Sequence, residues 1–144
     1  MKDFIEKEII EAVKKLLKSR VNELIRGFEF QIPFIEFGNY QDMSAITPVL
    51  SLRSCERTEK ERIIKQDAYS LTITISVPET HESELHCYAY SNAISEALGE
   101  DVTLGGIADR AIITGKKYAP PEKPNRGIEW ELIVSLRITA EAVQ

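Results

Sequence analysis

Two histidines and a glutamate lie close together near the middle of the chain and are the first residues to consider as metal ligands. His81 and Glu82 begin like a helical zinc-protease motif, which needs a second histidine four residues after the first so that both ligands share one helix face. Position 85 is Leu85, and the other histidine, His86, lies five residues on and about 140° around a helix. The spacing therefore predicts no metal site, and we expect both histidines to be solvated or to cap a helix.

A glycine and two lysines at 115–117 look like the end of a phosphate-binding loop. That loop needs a glycine five residues before Gly115 and a serine or threonine after Lys116, and this chain has Arg110 and Lys117 at those positions. The sequence also lacks a G-x-G-x-x-G fingerprint. Neither familiar route to nucleotide binding is predicted, and we expect no cofactor.

Nucleophilic and acid-base catalysis each have one candidate pair. Cys87 and His86 are neighbours in sequence on a predicted helix, so their side chains point apart, and the chain has no G-x-S-x-G elbow. Glu129 and Glu131 share one face of a predicted strand, but this is the face opposite Trp130, where a solvated polar surface is the simpler interpretation. We therefore predict no catalytic residue and no enzyme, although polar residues that converge from separate elements stay an alternative.

The length and composition predict one intracellular domain spanning residues 1–144. A chain of 144 residues buries roughly 70% of its unfolded surface, which is enough for a core without metals or disulfides. Cys55 and Cys87 have no C-x-x-C spacing, so we expect free thiols in a reducing compartment. The net charge of −5 disfavours broad binding to nucleic acid, and the absence of an apolar run of roughly 20 residues predicts no membrane partner.

The elements that would position these residues begin with a long helix. Its capping box would be Asp3 with Glu6, and it would run to Gly27. The residues on its apolar stripe recur at helical spacing and are Ile5, Ile9, Val13, Leu16, Leu17, Val21, Leu24 and Ile25.

The next segments predict the first strands. Residues 28–37 are aromatic and apolar but are broken by Pro33, so they favour an edge strand or an extended lead-in. Residues 46–53 are a further strand candidate. Residues 54–67 alternate in charge, and they form either a mobile loop or a projecting hairpin.

Strict alternation over residues 68–77 predicts the clearest strand. One face is apolar and must be covered, whereas the other is hydroxylic. The apolar residues are Leu71, Ile73, Ile75 and Val77, and the hydroxylic ones are Ser70, Thr72, Thr74 and Ser76.

A second helix over residues 80–98 follows, capped by Thr80 and ended by Gly99. A Gly105-Gly106 turn then precedes a strand at 107–117, a proline-stiffened loop at 118–127 and a longer strand at 128–140. The predicted buried side of the helix is Leu85, Ala89, Ala93, Ile94, Ala97 and Leu98, and the apolar face of the last strand is Trp130, Leu132, Val134, Leu136 and Ile138. Together these elements predict an α+β fold with an antiparallel or mixed sheet of four to five strands and two helices packed on one face.

The stretch D-A-Y-S-L-T-I-T-I at 67–75, the helix after it and the distal strand at 130–138 resemble the small tail-terminator or tail-completion proteins of long-tailed bacteriophages and prophages. The resemblance implies a structural head-tail joining protein that forms a ring, commonly a hexamer, on the last ring of the tail tube. Its expected partners are copies of itself, the tail-tube protein and the head-tail connector proteins, and DNA only passes through the ring. The expected location is the virion tail, and the bacterial host cytoplasm during assembly.

Interface residues are expected in the two connecting segments, 54–67 and 118–127, because mixed charges can pair across an interface and fix its register. The candidates are Arg53, Glu56, Arg57, Glu59, Lys60, Arg62, Lys65, Lys116, Lys117, Tyr118 and Arg126. Two alternatives to the ring protein stay open: a small intracellular adaptor that binds a ligand or protein, and a small enzyme without a recognisable motif.

Overall fold

The chain combines an N-terminal helical stretch, a central helix and a set of long strands. The computed structural model describes residues 4–29, 31–37, 45–59, 65–78, 82–121 and 129–141. In chain order the elements are α1 (Ile5–Leu16), a π-helical segment (Leu17–Val21), α2 (Asn22–Ile25), β1 (Phe34–Ile35), β2 (Ala45–Ile46), β3 (Val49–Glu59), β4 (Lys65–Val77), α3 (Ser83–Glu100), β5 (Arg110–Ala119) and β6 (Trp130–Glu141).

Four of the strands form an antiparallel sheet in the order β3-β4-β6-β5. The sheet consists of two hairpins, β3 with β4 and β5 with β6, which join side by side through β4 and β6. A short parallel pair, β1 with β2, lies apart from it. The apolar sides of α1 and α3 belong to the same core as the inward side chains of β4 and β6. The predicted α+β class, with an antiparallel sheet covered by helices on one face, is confirmed.

Alternation along β4 and β6 decides which side of the sheet is covered. Leu71, Ile73 and Ile75 of β4 are fully buried, and so are Leu132 and Val134 of β6. The intervening side chains of both strands are exposed or half-buried, except for the small, buried side chain of Ala68. Successive side chains on a strand point to opposite faces, so one face is core and the other is left to solvent.

The N-terminal helical stretch keeps its buried residues in line by changing its winding. Its core residues are four positions apart, and an α-helix would turn each one about 40° past the last. The π-helical segment, with its i→i+5 hydrogen bonds, fits more residues into each turn and so reduces this drift. The five residues kept in line, each at most 2% exposed, are Ile9, Val13, Leu17, Val21 and Ile25.

A buried amide joins this helical stretch to β1. The Asn22 side chain donates from Nδ2 to the Ile35 carbonyl at 2.9 Å, and its Oδ1 accepts from the Ile35 amide at 2.8 Å. Nδ2 also donates to the Lys18 carbonyl at 2.7 Å. On the other side of the same segment, the Tyr90 hydroxyl donates to the Pro33 carbonyl. These contacts hold a short strand that has few backbone partners of its own.

The second helix differs from its prediction at both ends and on one face. It begins at Ser83 with Glu82 at the N-cap, while Thr80 lies outside the described residues, and it continues through Gly99 to Glu100. Leu85 is 44% exposed rather than buried. It stands two residues before buried Cys87, about 200° away around the helix, so it cannot share that side.

The strands also differ from their predicted limits. Of the segment 28–37, only Phe34–Ile35 pairs as a strand, directly after Pro33. The segment 54–67 is not a loop in its described part, because β3 extends to Glu59 and β4 starts at Lys65. The hairpin alternative is therefore correct, but its described part does not project, since β6 follows β4 as far as Gln66. Likewise Tyr118 and Ala119 are strand, not loop.

The predicted glycine turn between α3 and β5 is confirmed. Gly105 and Gly106 have φ angles of 72° and 89°, a region that favours glycine, and Leu104 before them has φ 52°. The Asp101 carboxylate accepts from the Thr103 hydroxyl at 2.9 Å and from the Gly105 amide at 2.8 Å. This side-chain bonding fixes the turn where the chain leaves α3 for the edge of the sheet.

Candidate functional site

The sheet face opposite the helices, called here the open face, is a regular surface formed by all four strands. The strand registers arrange its side chains in four rows across the sheet, each written here in the order β3, β4, β6, β5. The first row is Val49, Thr74, Ile133 and Lys117, and the second is Ser51, Thr72, Ser135 and Gly115. The third row is Ser54, Ser70, Arg137 and Ile112, and the fourth is Glu56, Ala68, Thr139 and Arg110. Ser76 and Glu131 pair beyond the first row, and Gln66 and Glu141 beyond the last.

Short hydroxyl and apolar side chains dominate the middle rows of the open face, and Arg137 is the one charge there on an inner strand. Val49 and Ile112, on the two edge strands, are 60% and 38% exposed and add apolar surface at the sides of the face. Charges other than Arg137 occupy strand ends or edge strands. Depletion of charge at the centre of a patch with a charged rim is a known feature of protein–protein interfaces.

One hydroxyl at the middle of the open face lacks a partner. Thr72 Oγ1 is enclosed, with no hydrogen-bond partner among the described residues. Its row neighbours, Ser51 and Ser135, are also hydroxyl residues. Buried polar groups without partners are few in folded proteins, so Thr72 Oγ1 is an exception within this sheet.

The two outer strands of the sheet carry different charges. The described basic residues of β5 are Arg110, Lys116 and Lys117, without an acidic residue among them. β3 carries both signs, with Arg53, Glu56, Arg57 and Glu59. Each edge is interrupted by a shift of register, between Leu52 and Ser54 in β3 and between Ile113 and Gly115 in β5.

Arg57, one of the predicted interface residues, is engaged within its own hairpin. Its Nε donates to Asp67 Oδ1 at 2.8 Å and its Nη2 donates to Asp67 Oδ2 at 3.1 Å. The two residues are also cross-strand neighbours in the register of β3 and β4. The hydrogen bond from Arg57 lowers the pKa of Asp67, and burial opposes this to a smaller extent. Arg57 therefore stabilises the hairpin and is a poor choice for testing an interface.

The ion pair between Arg57 and Asp67 predicts that the free energy of unfolding depends on pH. Because the pKa of Asp67 is lower in the folded chain than its ordinary value of 3.8, the stabilisation is complete above that pH and is lost as the pH falls through the folded-state pKa. We expect Asp67→Asn to be less stable than the wild type near neutral pH, with a difference that shrinks below about pH 4. Urea unfolding followed by circular dichroism at several pH values checks this. A difference that grows on acidification would contradict it.

The predicted patch at 116–118 is divided between the two sides of the sheet. Lys117 lies in a row of the open face, whereas Lys116 and Tyr118 pair with core positions of β6 and so lie on the helix side. The Tyr118 hydroxyl lies 2.8 Å from Ser91 Oγ, and its ring meets Tyr88 edge-on at 5.4 Å. These contacts attach Tyr118 to α3, although 37% of it stays exposed.

The remaining predicted interface residues have simpler positions. Arg53 falls in the register shift of β3 and is exposed, as is Glu56 on the open face. Glu59 and Lys65 form the last described pair of the hairpin. Lys60, Arg62 and Arg126 lie outside the described residues.

A groove between α1 and the end of α3 was not anticipated from the sequence. Its volume is about 650 Å³, and its apolar lining is Ala12, Leu16, Ala97, Leu104 and Ile107. Charged side chains of both signs surround this lining. Arg20 Nε donates to both Glu100 oxygens at 2.8 and 3.0 Å, which lowers the pKa of Glu100. The half-buried Leu16 beside charged neighbours was the only sequence signal for it.

In the described part of the chain, the side chains that were considered for chemistry do not converge, and His81 lies outside the described residues. Among the described residues, no group of three or more His, Cys, Asp and Glu could hold a metal ion. His86 is largely buried, with Nε2 3.8 Å from Glu82 Oε2. Glu129 and Glu131 are both exposed, as their strand alternation predicts. None of these residues is brought to the groove or to the centre of the open face by the described fold.

The two cysteines are free, as predicted, and they should differ in reactivity. Burial raises the pKa of Cys87 to about 11, and Cys87 has no exposed surface. The pKa of exposed Cys55 is also raised, first by partial burial and then by Asp67. We expect a thiol reagent at about pH 8 to label one cysteine per folded chain and two in urea, with Cys55→Ser abolishing the native signal. Equal labelling rates in the folded chain would contradict this.

None of the helices in the described part of the chain is both long and apolar enough to cross a bilayer. Neither a scan against models of protein families nor a search of curated proteins found a match. Function must therefore be inferred from the surfaces and contacts of this chain.

Proposed function

We propose that this chain is the subunit of a homo-oligomeric ring that terminates a phage tail and joins it to the head. The observation that supports the proposal is the pair of unlike edge strands at opposite sides of one sheet. β5 is basic, whereas β3 is mixed in charge, and Arg57 of β3 is already neutralised by Asp67. A ring requires each subunit to present two different surfaces that meet those of its neighbours, and these edges are two such surfaces.

In this proposal the ring works through shape and charge rather than chemistry. A contact between β3 of one copy and β5 of the next repeats by rotation until the circle closes, which fixes the size of the ring and stops growth of the tube. The net charge of −5 suits a passage through which DNA moves without adhering. The tail tube and the head-tail connector would contact the two ends of the ring.

The test combines imaging with removal and reversal of charge at the basic edge. We expect the wild-type chain, alone or with purified tail tubes, to form rings visible by negative-stain microscopy. Lys116→Ala should form fewer rings, and Lys116→Glu, which places an acidic residue opposite the acidic residues of β3, should form none. The matched control is Glu96→Lys on α3, an exposed charge away from both edges. Circular dichroism shows whether each variant is folded. A wild-type chain that forms no ring alone and none on tail tubes contradicts the proposal.

The groove between α1 and α3 favours a second candidate function, the binding of a small molecule. A volume of about 650 Å³ with an apolar floor and charged surroundings lies within the range of ligand sites. A screen of small-molecule fragments by thermal shift should find compounds that raise the melting temperature of the wild type but not of Ala12→Trp, which fills the groove. An equal rise in both proteins would place binding elsewhere.

A further inference from the structure

We propose that the open face is the contact surface for a second copy of this chain, in a symmetric dimer whose two-fold axis runs parallel to the strands. This contact uses the open face of the sheet, including the side chains that the two edge strands point to that face, and does not rest on the proposed function. The two sheets would stack face to face at about 10 Å, the usual separation of packed sheets.

The composition of the open face fits a partner that is itself a sheet face. Serine, threonine, valine and isoleucine dominate the central rows, and none of these side chains is long. A flat surface of short side chains packs closely against another such surface, as in two-layer β-sandwiches. Val49 and Ile112 would lose exposed apolar area on docking, since they are 60% and 38% exposed.

The size of the open face is sufficient for a stable contact. Four strands at about 4.8 Å, followed over about ten residues at roughly 3.3 Å, give about 600 Å² on each copy. The two copies together would bury about 1,200 Å², the lower bound for specific protein–protein interfaces. An isolated contact through one edge strand would bury less.

The positions of the charges select the direction of the axis. Glu56 and Arg110 stand at opposite ends of one row across the four strands. A two-fold axis parallel to the strands exchanges β3 with β5, so Glu56 of each copy meets Arg110 of the other copy. Such isologous exchange forms every contact twice, which gives two ion pairs per dimer.

A two-fold axis across the strands produces the opposite result. Each strand then lies over the same strand of the other copy, and the order of the rows is reversed between the two copies. Arg110 would then meet Lys117 of the other copy, and Glu131 would meet Glu141. Like charges in contact are destabilising. With the parallel axis, these four residues instead meet Glu56, Val49, Ser76 and Gln66. Arg137 meets Ser70 of the other copy, so no like charges are directly opposed.

The same axis accounts for the hydroxyl without a partner. Thr72 and Ser135 are the two middle residues of their row. Exchange of the strands places Thr72 of one copy over Ser135 of the other. Rotation of Thr72 about its Cα–Cβ bond then turns Oγ1, which has no partner in the described chain, towards the Ser135 hydroxyl, which it reaches through one bridging water at this sheet separation.

The test is the oligomeric state of the isolated chain, measured by sedimentation over a range of concentrations. We expect the mass to shift from the 16.3 kDa of one chain towards about 33 kDa. Ser135→Arg adds a second arginine beside Arg137 at the centre of the contact and should weaken dimerisation at least tenfold. Thr74→Arg, on the same face, is a second variant in case the first does not fold. Asn92→Arg on α3 is the control and should dimerise like the wild type.

Charge exchange tests the direction of the axis. Glu56→Arg alone and Arg110→Glu alone should each weaken the dimer at least threefold, and the double variant should recover to within about twofold of the wild type. A wild type that stays monomeric at high concentration, or a Ser135→Arg variant that folds and dimerises normally, would overturn the proposal. Single variants that are not rescued by the double variant would overturn the proposed axis. The edge variants used against the ring leave this face intact, so loss of rings with retention of dimers separates the two proposals.

Discussion

Replacing Ile73 by aspartate is expected to unfold the chain. Ile73 has no exposed surface and lies in the second strand of the sheet, between Leu50 of β3 and Val134 of β6. An unpaired carboxylate there costs several kcal/mol, which is about the whole stability of a domain of this size. Far-UV circular dichroism of the purified variant should show the loss of native structure, and urea should produce no cooperative transition.

The matched control for this change is Ser70→Asp on the same strand. Ser70 is exposed on the open face, in the row that contains Arg137. The same carboxylate should be tolerated there, with a change in unfolding free energy within about 0.5 kcal/mol. If Ile73→Asp unfolds with the same urea midpoint as Ser70→Asp, the assignment of the two sheet faces is wrong.

Asn22→Leu is expected to have the second-largest effect. Leucine has a similar shape but removes the hydrogen bonds that Asn22 makes with the amide and carbonyl of Ile35 and with the carbonyl of Lys18. Leaving buried backbone groups of Ile35 without partners costs about 1–3 kcal/mol each. We expect a loss of about 2–4 kcal/mol in unfolding free energy, measured by urea denaturation.

The control for Asn22 is Ser19→Ala, three residues earlier. The Ser19 hydroxyl also donates to a carbonyl one turn back, that of Lys15, at 2.7 Å, but at an exposed position. Water can replace this bond, so its loss should change stability by less than about 0.5 kcal/mol. Equal effects of the two substitutions would show that the amide of Asn22 does not secure β1.

The elements that the sequence predicted well are those with a strict period. β4 alternates apolar and polar residues from Tyr69 to Val77, β6 does so except at Ile133, and α1 carries a helical stripe. In each case the burial of one side follows from the pattern alone, because period two and period 3.6 give one apolar face. The paired glycines at 105 and 106 likewise predicted a turn by their backbone freedom.

The elements that could not be predicted depend on distant partners. The second half of β3 is charged and has no alternating pattern, and it becomes strand by pairing with β4 and through the ion pair of Arg57 with Asp67. The order of the strands also depends on long-range pairing, because β6 inserts between β4 and β5. Cross-strand partners decide strand formation in such segments more than intrinsic propensity does.

The candidate site was sought among charges, which is why the open face was missed. The hydroxyl face of residues 70–76 is evident in the sequence, but its exposure depends on the described helices lying on one side of the sheet only. The groove between α1 and α3 arises from two helices far apart in sequence. Neither surface could be located from the sequence, since each is created by packing.

The register shifts at Arg53 and Thr114 disfavour the growth of fibres by repeated addition of copies at the sheet edges. Each interrupts the regular spacing of amides and carbonyls along an outer strand, so a straight strand from another molecule can match only one half of that edge. Indefinite stacking of copies into amyloid-like ribbons is thereby disfavoured. The same irregularity admits a neighbour that is bent in a complementary way, which selects against flat, open-ended aggregates.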